Sequence, residues 1–443
     1  MFVKVLTVAA CVGWLCAGTA SVSAETYLST RADVAMQPEE PNKALRPITV
    51  EEARALAERY RTPQRGDAYL DMTELSPEAA RELAGIPNRL SFTRLVELSP
   101  SAARALTRPT GEYEFRALTR LEPETARELA RARDLRFERV SSLSAPTAAA
   151  LAKQTGRLSL VAVTELSDEA AAELASHQGP LQLDGLATLS DAALRSLATR
   201  HRDALSIGGI VRLSDESARA LANHDGSVRL AGLTVLTSRE LTAKLSTNEV
   251  GVYLPRVTTI SEDLAELLIQ APRRLELGLT DLTPEVAIIL ARYEGYLGLD
   301  HLNDLSDDAA RILSGRTGRR TSLTRLKKLT NPELAGYLAK QRMSRLDLNS
   351  LTTLNGAAAK ELASFRGTLS LRGLTTLGDD VAQALGEHQG LLALSYVTGM
   401  SDVAAEALSK HAGPIGLERL TDVSDEARTH LRSHPRITFP GRE

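Results

Sequence analysis

Apolar positions along this 443-residue chain return with a single period. An anchor, almost always leucine, recurs about every 23 residues, from Ile48, Leu75, Leu98, Leu121, Leu143 and Leu166 through Leu354, Leu377, Met400 and Val423. Ahead of each anchor the pattern alternates. In Leu181-Gln-Leu-Asp-Gly-Leu-Ala-Thr-Leu189, Leu181 and Leu183 stand two apart, the period of a short strand with one buried face, and Leu186 adds a third apolar slot. The same strand slots hold Leu90 and Phe92, Leu135 and Phe137, Leu158 and Leu160, Leu205 and Ile207, Leu297 and Leu299, Leu369 and Leu371, and Ile415 and Leu417.

After the anchor the period becomes helical. A hydroxyl residue stands next in most repeats, as at Ser76, Ser99, Ser144, Ser167, Ser190, Ser214, Thr283, Ser306, Ser401 and Ser424, where it can accept from an amide of the first helical turn. Asp or Pro often follows, which suits the positive end of a helix and its spare amides. Apolar residues five and eight past the anchor, such as Ala80 with Leu83 and Ala171 with Leu174, make one stripe on a helix of about ten residues. A helix that short has no stability alone in water, so it must pack on its neighbours. Glycine then recurs before the next strand, at Gly156, Gly179, Gly226, Gly295, Gly318, Gly367, Gly390 and Gly413, and is expected to stop the helix with a positive φ.

The rhythm Leu-x-Leu-x-x-[Leu/Val]-x-x-Leu-[Ser/Thr]-Asp-x-x-Ala-x-x-Leu-Ala resembles leucine-rich repeats, over roughly residues 47 to 443. The resemblance implies an α/β fold: a right-handed solenoid of about 16 coils, arced like a horseshoe, with a parallel sheet on the concave face and short helices on the convex face. It also implies a binding scaffold. One departure stands out. The slot that holds Asn or Cys in those repeats is here Val163, Leu186, Ile210 and their equivalents, so subclass and curvature are left open.

The first residues read as an export signal: Lys4, an apolar run from Val5 to Ala20, then Val22-Ser23-Ala24 as a small-residue cleavage site, giving a signal over 1–24. The run is too short for a membrane anchor, and no later stretch is long and apolar enough to span a bilayer. A lipoprotein box at Cys11 sits too near Lys4 to be preferred. Residues 25–46 lack periodicity and read as a flexible tail. The solenoid is expected over 47–443, opened by a capping helix with Thr49 and Glu52 as a capping box and closed by a capping strand at Ile437-Thr438-Phe439. No appended catalytic domain is expected.

Composition narrows the chemistry. Both cysteines, Cys11 and Cys16, fall inside the expected signal, so disulfides, a thiol nucleophile and a cysteine-built zinc site are not expected in the mature chain. The charges nearly balance, at 53 basic and 56 acidic residues, which does not favour nucleic acid as a partner. No Asn-x-Ser/Thr acceptor occurs, which fits bacterial export to the periplasm or outside the cell. His177, His224, His388 and His411 stand near helix ends, where a partly positive imidazole would suit the last carbonyls. His430 and His434 lack an evident third ligand, so no metal and no cofactor is expected. The repeated Ser-Asp-Glu triplets read as helix caps rather than calcium loops. No Gly-x-Ser-x-Gly elbow, His-Glu-x-x-His pair or phosphate-binding glycine loop is present, so no catalytic residue is assigned.

A recognition face is the remaining candidate, since alternate strand positions point out of the sheet. Arg116, Arg229, Tyr253, Asp300, Asp347 and Arg372 are the outward residues best suited to contact a partner. A second candidate is a basic rim, where ten Lys and Arg fall within about 35 residues between Arg311 and Arg345; Arg319, Arg320, Lys327 and Lys328 are its centre. The sequence therefore leads to an exported, non-enzymatic scaffold that binds a protein or an envelope polysaccharide. The alternatives are a self-associating structural component of the cell envelope and, below it, a hydrolase with a scattered active site.

Overall fold

A computed structural model describes residues 47–61 and 66–440. The expected signal and tail lie outside the described residues. Within them, short parallel strands and short helices alternate once per repeat, and along most of the chain a strand pairs with that of the next coil in register, as in Leu158↔Leu181, Leu181↔Leu205 and Leu205↔Val228. This is a leucine-rich-repeat solenoid. Strands lie on strands, helices on helices, and the leucines of both layers meet between them.

The strand ladder runs in three stretches: eight strands from Ala68–Leu70 to Val228–Arg229, four from Val252–Leu254 to Thr321–Ser322, and five from Arg345–Asp347 to Ile437–Thr438. At the first interruption the Asn248 amide donates to the Val228 carbonyl at 2.9 Å. The register would otherwise offer that carbonyl to the following strand. Two small ladders, Lys328–Leu329 with Thr353–Leu354 and Thr376–Leu377 with Gly399–Met400, form where the chain leaves the strand for the helix.

Burial follows the expected slots. Leu90, Phe92, Tyr113, Phe115, Leu135, Phe137, Leu158 and Leu160 are buried, as are Leu95, Leu118, Val140 and Val163 three before each anchor. The rings of Phe92, Phe115 and Phe137 stack across three coils, with centroids 5.2 and 5.5 Å apart. All ten expected hydroxyl caps accept from the third helical amide, for example Ser99 from Ala102 at 3.2 Å. The caps also join coils: Ser190 donates to Asp168, Ser214 to Asp191, Ser401 to Asp379 and Ser424 to Asp402. The Ser-Asp pair thus starts its own helix and holds the next one. The capping box forms at Thr49 and Glu52 ahead of helix Val50–Arg59, and Ile437–Thr438 pairs with Ile415–Gly416.

Two expectations about the helix-to-strand corner are corrected. Of the eight corner glycines only Gly179 has a positive φ. The others are glycine because a Cβ would strike the previous coil: at Gly390 it would lie 2.0 Å from the Gly367 carbonyl oxygen, at Gly413 2.0 Å from that of Gly390. The histidines are not surface partners of helix ends either. They form two buried stacks, His177–His201–His224 with centroids 6.0 and 5.8 Å apart and His388–His411–His434 with centroids 5.7 and 6.2 Å apart. Each ring reaches a main-chain carbonyl, mostly of a preceding coil: His177 Nε2 to Gly156 at 3.0 Å, His201 Nδ1 to His177 at 2.9 Å, His434 Nε2 to His411 at 2.8 Å. Gln154 and Asn248 fill the same corner slot with an amide. The polar ladder that leucine-rich repeats usually place after the strand has here moved to the corner after the helix, where carbonyls would otherwise lack donors.

Candidate binding surface

The outward strand positions of each ladder share one face, and polar side chains on it are tied from coil to coil. At the N-terminal side, Glu114 is only 2% exposed although it points out of the sheet. Its Oε2 accepts from the Ser91 hydroxyl at 2.7 Å and from Arg116 Nη2 at 2.9 Å. Burial opposes ionisation, but these donors outweigh it and hold the Glu114 carboxyl below the usual carboxylate range. Arg116 in turn lies over the Tyr69 ring, 5.2 Å from its centroid. Glu114→Ala would leave Arg116 and Ser91 without this acceptor, and urea unfolding should show a loss of about 1–3 kcal/mol.

Carboxylates two positions further along serve the next coil. Asp184 Oδ1 accepts from the Ser206 hydroxyl at 2.7 Å and the Gly208 amide at 2.6 Å. Asp300 Oδ1 accepts from Ser322 Oγ, the Thr324 amide and Thr324 Oγ1 at 2.6, 2.9 and 2.8 Å, and Asn349 accepts from Ser370 Oγ at 2.6 Å. Asp300, assigned from sequence to a partner, is thus engaged inside the fold. Asp347 is half-buried and paired with Arg345 at 2.6 Å. Arg229 and Arg372 are exposed.

A second polar group on the sheet face lies around Tyr253. Glu276 stands beside it in the register and Tyr296 lies on the following strand. Arg274 pairs with Glu276 and lies over the Tyr296 ring, 4.8 Å from its centroid. Burial, with Asp300 nearby, raises the Glu276 carboxyl above the usual range despite Arg274, and burial likewise raises both phenols. Gly298 makes room for this group, since a Cβ there would lie 2.7 Å from Glu276 Cγ. Sequence reasoning missed Glu276 and Tyr296. The signal was present: Leu275 and Leu277 are the inward pair of their strand, so Glu276 between them faces outward.

The structure divides the basic rim. Arg319 and Arg320 lie at the corner after helix Asp307–Ser314, where with Lys340 and Arg342 they line a cleft. Lys327 and Lys328 are exposed on the other side of their coil, beyond the strand, and do not line it. Among the described residues no cluster of His, Cys, Asp and Glu suited to a metal ion occurs, and no helix is long and apolar enough to cross a membrane.

Neither a protein-family model nor a curated protein sequence matches this chain. Solved structures with a similar course of chain include a leucine-rich-repeat protein of Leptospira interrogans, at 15% identity and a TM-score of 0.45 over 89% of this chain and 99% of that one. The Rad7 and Elc1 complex of yeast is similar at 15% identity and a TM-score of 0.36, covering 89% of each chain. An internalin of Listeria monocytogenes is similar at 12% identity and a TM-score of 0.28, over 89% of this chain and 90% of that one.

Proposed function

We propose that this chain is an exported, non-enzymatic scaffold that binds another protein across its sheet face, centred on Tyr253, Glu276 and Tyr296 and flanked by Arg229 and Arg372. The observation that carries the reading is the pair of half-buried tyrosines, Tyr253 beside Glu276 in the register and Tyr296 under Arg274, grouped on the sheet face. Tyr and Arg make the largest contributions at protein interfaces, and a tyrosine already fixed by its neighbours loses little entropy on binding. Catalysis is the weaker reading: Glu276 is paired with Arg274, and Asp300 Oδ1 already accepts from three donors of the next coil. Export rests on the charged and apolar pattern of residues 1–24 and directs the search for partners to the periplasm or the cell exterior.

Photo-cross-linking groups placed at Arg229 and at Lys360 on the helix side test the reading in envelope extract. A discrete protein adduct is expected at Arg229 only. With that protein purified, Tyr253→Ala should weaken binding by at least tenfold and Lys360→Glu should leave it unchanged. Adducts chiefly from Lys360, or with a second copy of the chain, would replace this reading with helix-side contact or self-assembly.

A further inference from the structure

Away from the sheet face, a cleft of about 980 Å³ opens where helices Asp307–Ser314 and Pro332–Ala339 turn back towards their strands. Its floor is Arg316, which occupies the corner slot that histidine fills in other coils, so a permanent cation replaces a neutral imidazole. Arg316 is 4% exposed and fixed on several sides: Nη1 donates to Thr321 Oγ1 at 2.8 Å and to the Tyr337 hydroxyl at 3.3 Å, Nη2 to the Tyr293 carbonyl at 2.7 Å, and both nitrogens reach further carbonyls at Arg319 and Gly295. Its Nε has no partner among the described residues.

The walls carry two kinds of group. Arg319, Arg320, Lys340 and Arg342 supply positive charge, and among the described residues none of them forms an ion pair. Glu333 and Glu361 line the same cleft as acceptors. Gln341 stands in the corner slot too. Its amide oxygen and nitrogen are both withdrawn from solvent without a partner, whereas Gln154 in that slot donates to the Arg133 carbonyl at 2.6 Å. Gly336 lies within helix Pro332–Ala339, where alanine would be favoured, and a Cβ there would lie 2.9 Å from Glu361 Oε2. The missing side chain leaves the carboxylate its place over the cleft.

We propose that this cleft binds an acidic saccharide, its carboxylate or phosphate taken by the arginines and Lys340 and its hydroxyls by Glu333, Glu361 and Gln341. Cations alone would suit any anion. Two carboxylates among them repel a dense inorganic polyanion but accept hydrogen bonds from hydroxyls, and an unsatisfied amide offers both a donor and an acceptor to a sugar ring. A site of this volume holds a ligand of a few rings. The proposal rests on the reading of the chain as a binding scaffold and names a ligand class for its second surface.

Calorimetry on the full chain with trimannuronate, against mannotriose and pyrophosphate, tests it. Trimannuronate should bind, mannotriose should not, and pyrophosphate should compete only at much higher concentration. Arg319→Ser with Lys340→Ser should weaken trimannuronate binding at least tenfold. Both residues are exposed, so the melting transition should stay in place, and Arg342→Ser gives an independent arm in the same direction. Gln341→Leu should weaken it severalfold. Tyr253→Ala should bind trimannuronate as the wild type does, which separates this site from the sheet-face reading. No binding of trimannuronate, binding indifferent to the charge substitutions, equal binding of mannotriose, or tighter binding of pyrophosphate would each overturn the proposal.

Discussion

Phe115→Ala is expected to cost about 3–5 kcal/mol of unfolding free energy, the loss typical of a large aromatic removed from a core that cannot close around the gap. Phe115 is fully buried and is the middle ring of the Phe92–Phe115–Phe137 stack, lying within 7° of parallel to one neighbour and 13° to the other. It therefore loses two ring contacts where Phe92 or Phe137 would lose one, and each aromatic pair adds about 0.5–1.5 kcal/mol beyond its buried area. In a solenoid each coil is held mainly by the coils beside it, so the damage should stay local. Hydrogen exchange should quicken over residues 90–137 and remain unchanged beyond Arg345. Urea unfolding of the three single alanine variants is the direct comparison. If Phe115→Ala costs no more than Phe92→Ala, the coils are not coupled through this stack.

The aromatic stack shows what the sequence disclosed. Leu90 with Phe92 and Leu135 with Phe137 alternate visibly, and a fixed period brings equivalent residues into contact in neighbouring coils, so strand slots, caps and parallel stacking could all be read before any geometry was known. The same logic applied to histidine would have found His201 and His434, spaced 23 or 24 residues from their neighbours, as ladder members. Local spacing, the usual guide to a shared helix face, instead pairs His434 with His430, four residues away. Corner glycines were misread for a related reason: in sequence, a glycine needed for positive φ and one needed for close approach look alike. The binding residues were least legible. Outward positions follow from alternation, but whether a carboxylate there is free, like an exposed side chain, or consumed, like Asp300, depends on which hydroxyl the next coil presents.

Acid should loosen the solenoid at its two histidine stacks. The rings are at most 4% exposed, and burial, together with neighbouring imidazoles, lowers His177 and His411 to about 4, with His201 and His388 also held below the ordinary value of 6.5. Asp203 partly offsets this in the first stack, and Arg436 adds to it in the second. Well above pH 6.5 the His177 and His411 rings are neutral in both folded and unfolded chains, and their contribution to stability is at its full value. Between 6.5 and about 4 the unfolded chain takes up protons at His177 and His411 that the folded chain refuses, so stability falls by about 1.4 kcal/mol per pH unit for each of these two. At pH 5 that is roughly 2 kcal/mol each from His177 and His411. Below about pH 4 these two sites contribute no further loss. Urea midpoints should therefore drop between pH 7 and pH 5, and hydrogen exchange should place the opening in the coils that carry the stacks. Glutamine is the informative replacement, because Gln154 already fills this slot. His177→Gln with His411→Gln should flatten the pH dependence by about the same amount, and the difference from wild type cancels the carboxylate contributions. A double variant that keeps the wild-type slope would mean that the buried rings are not what acid acts upon.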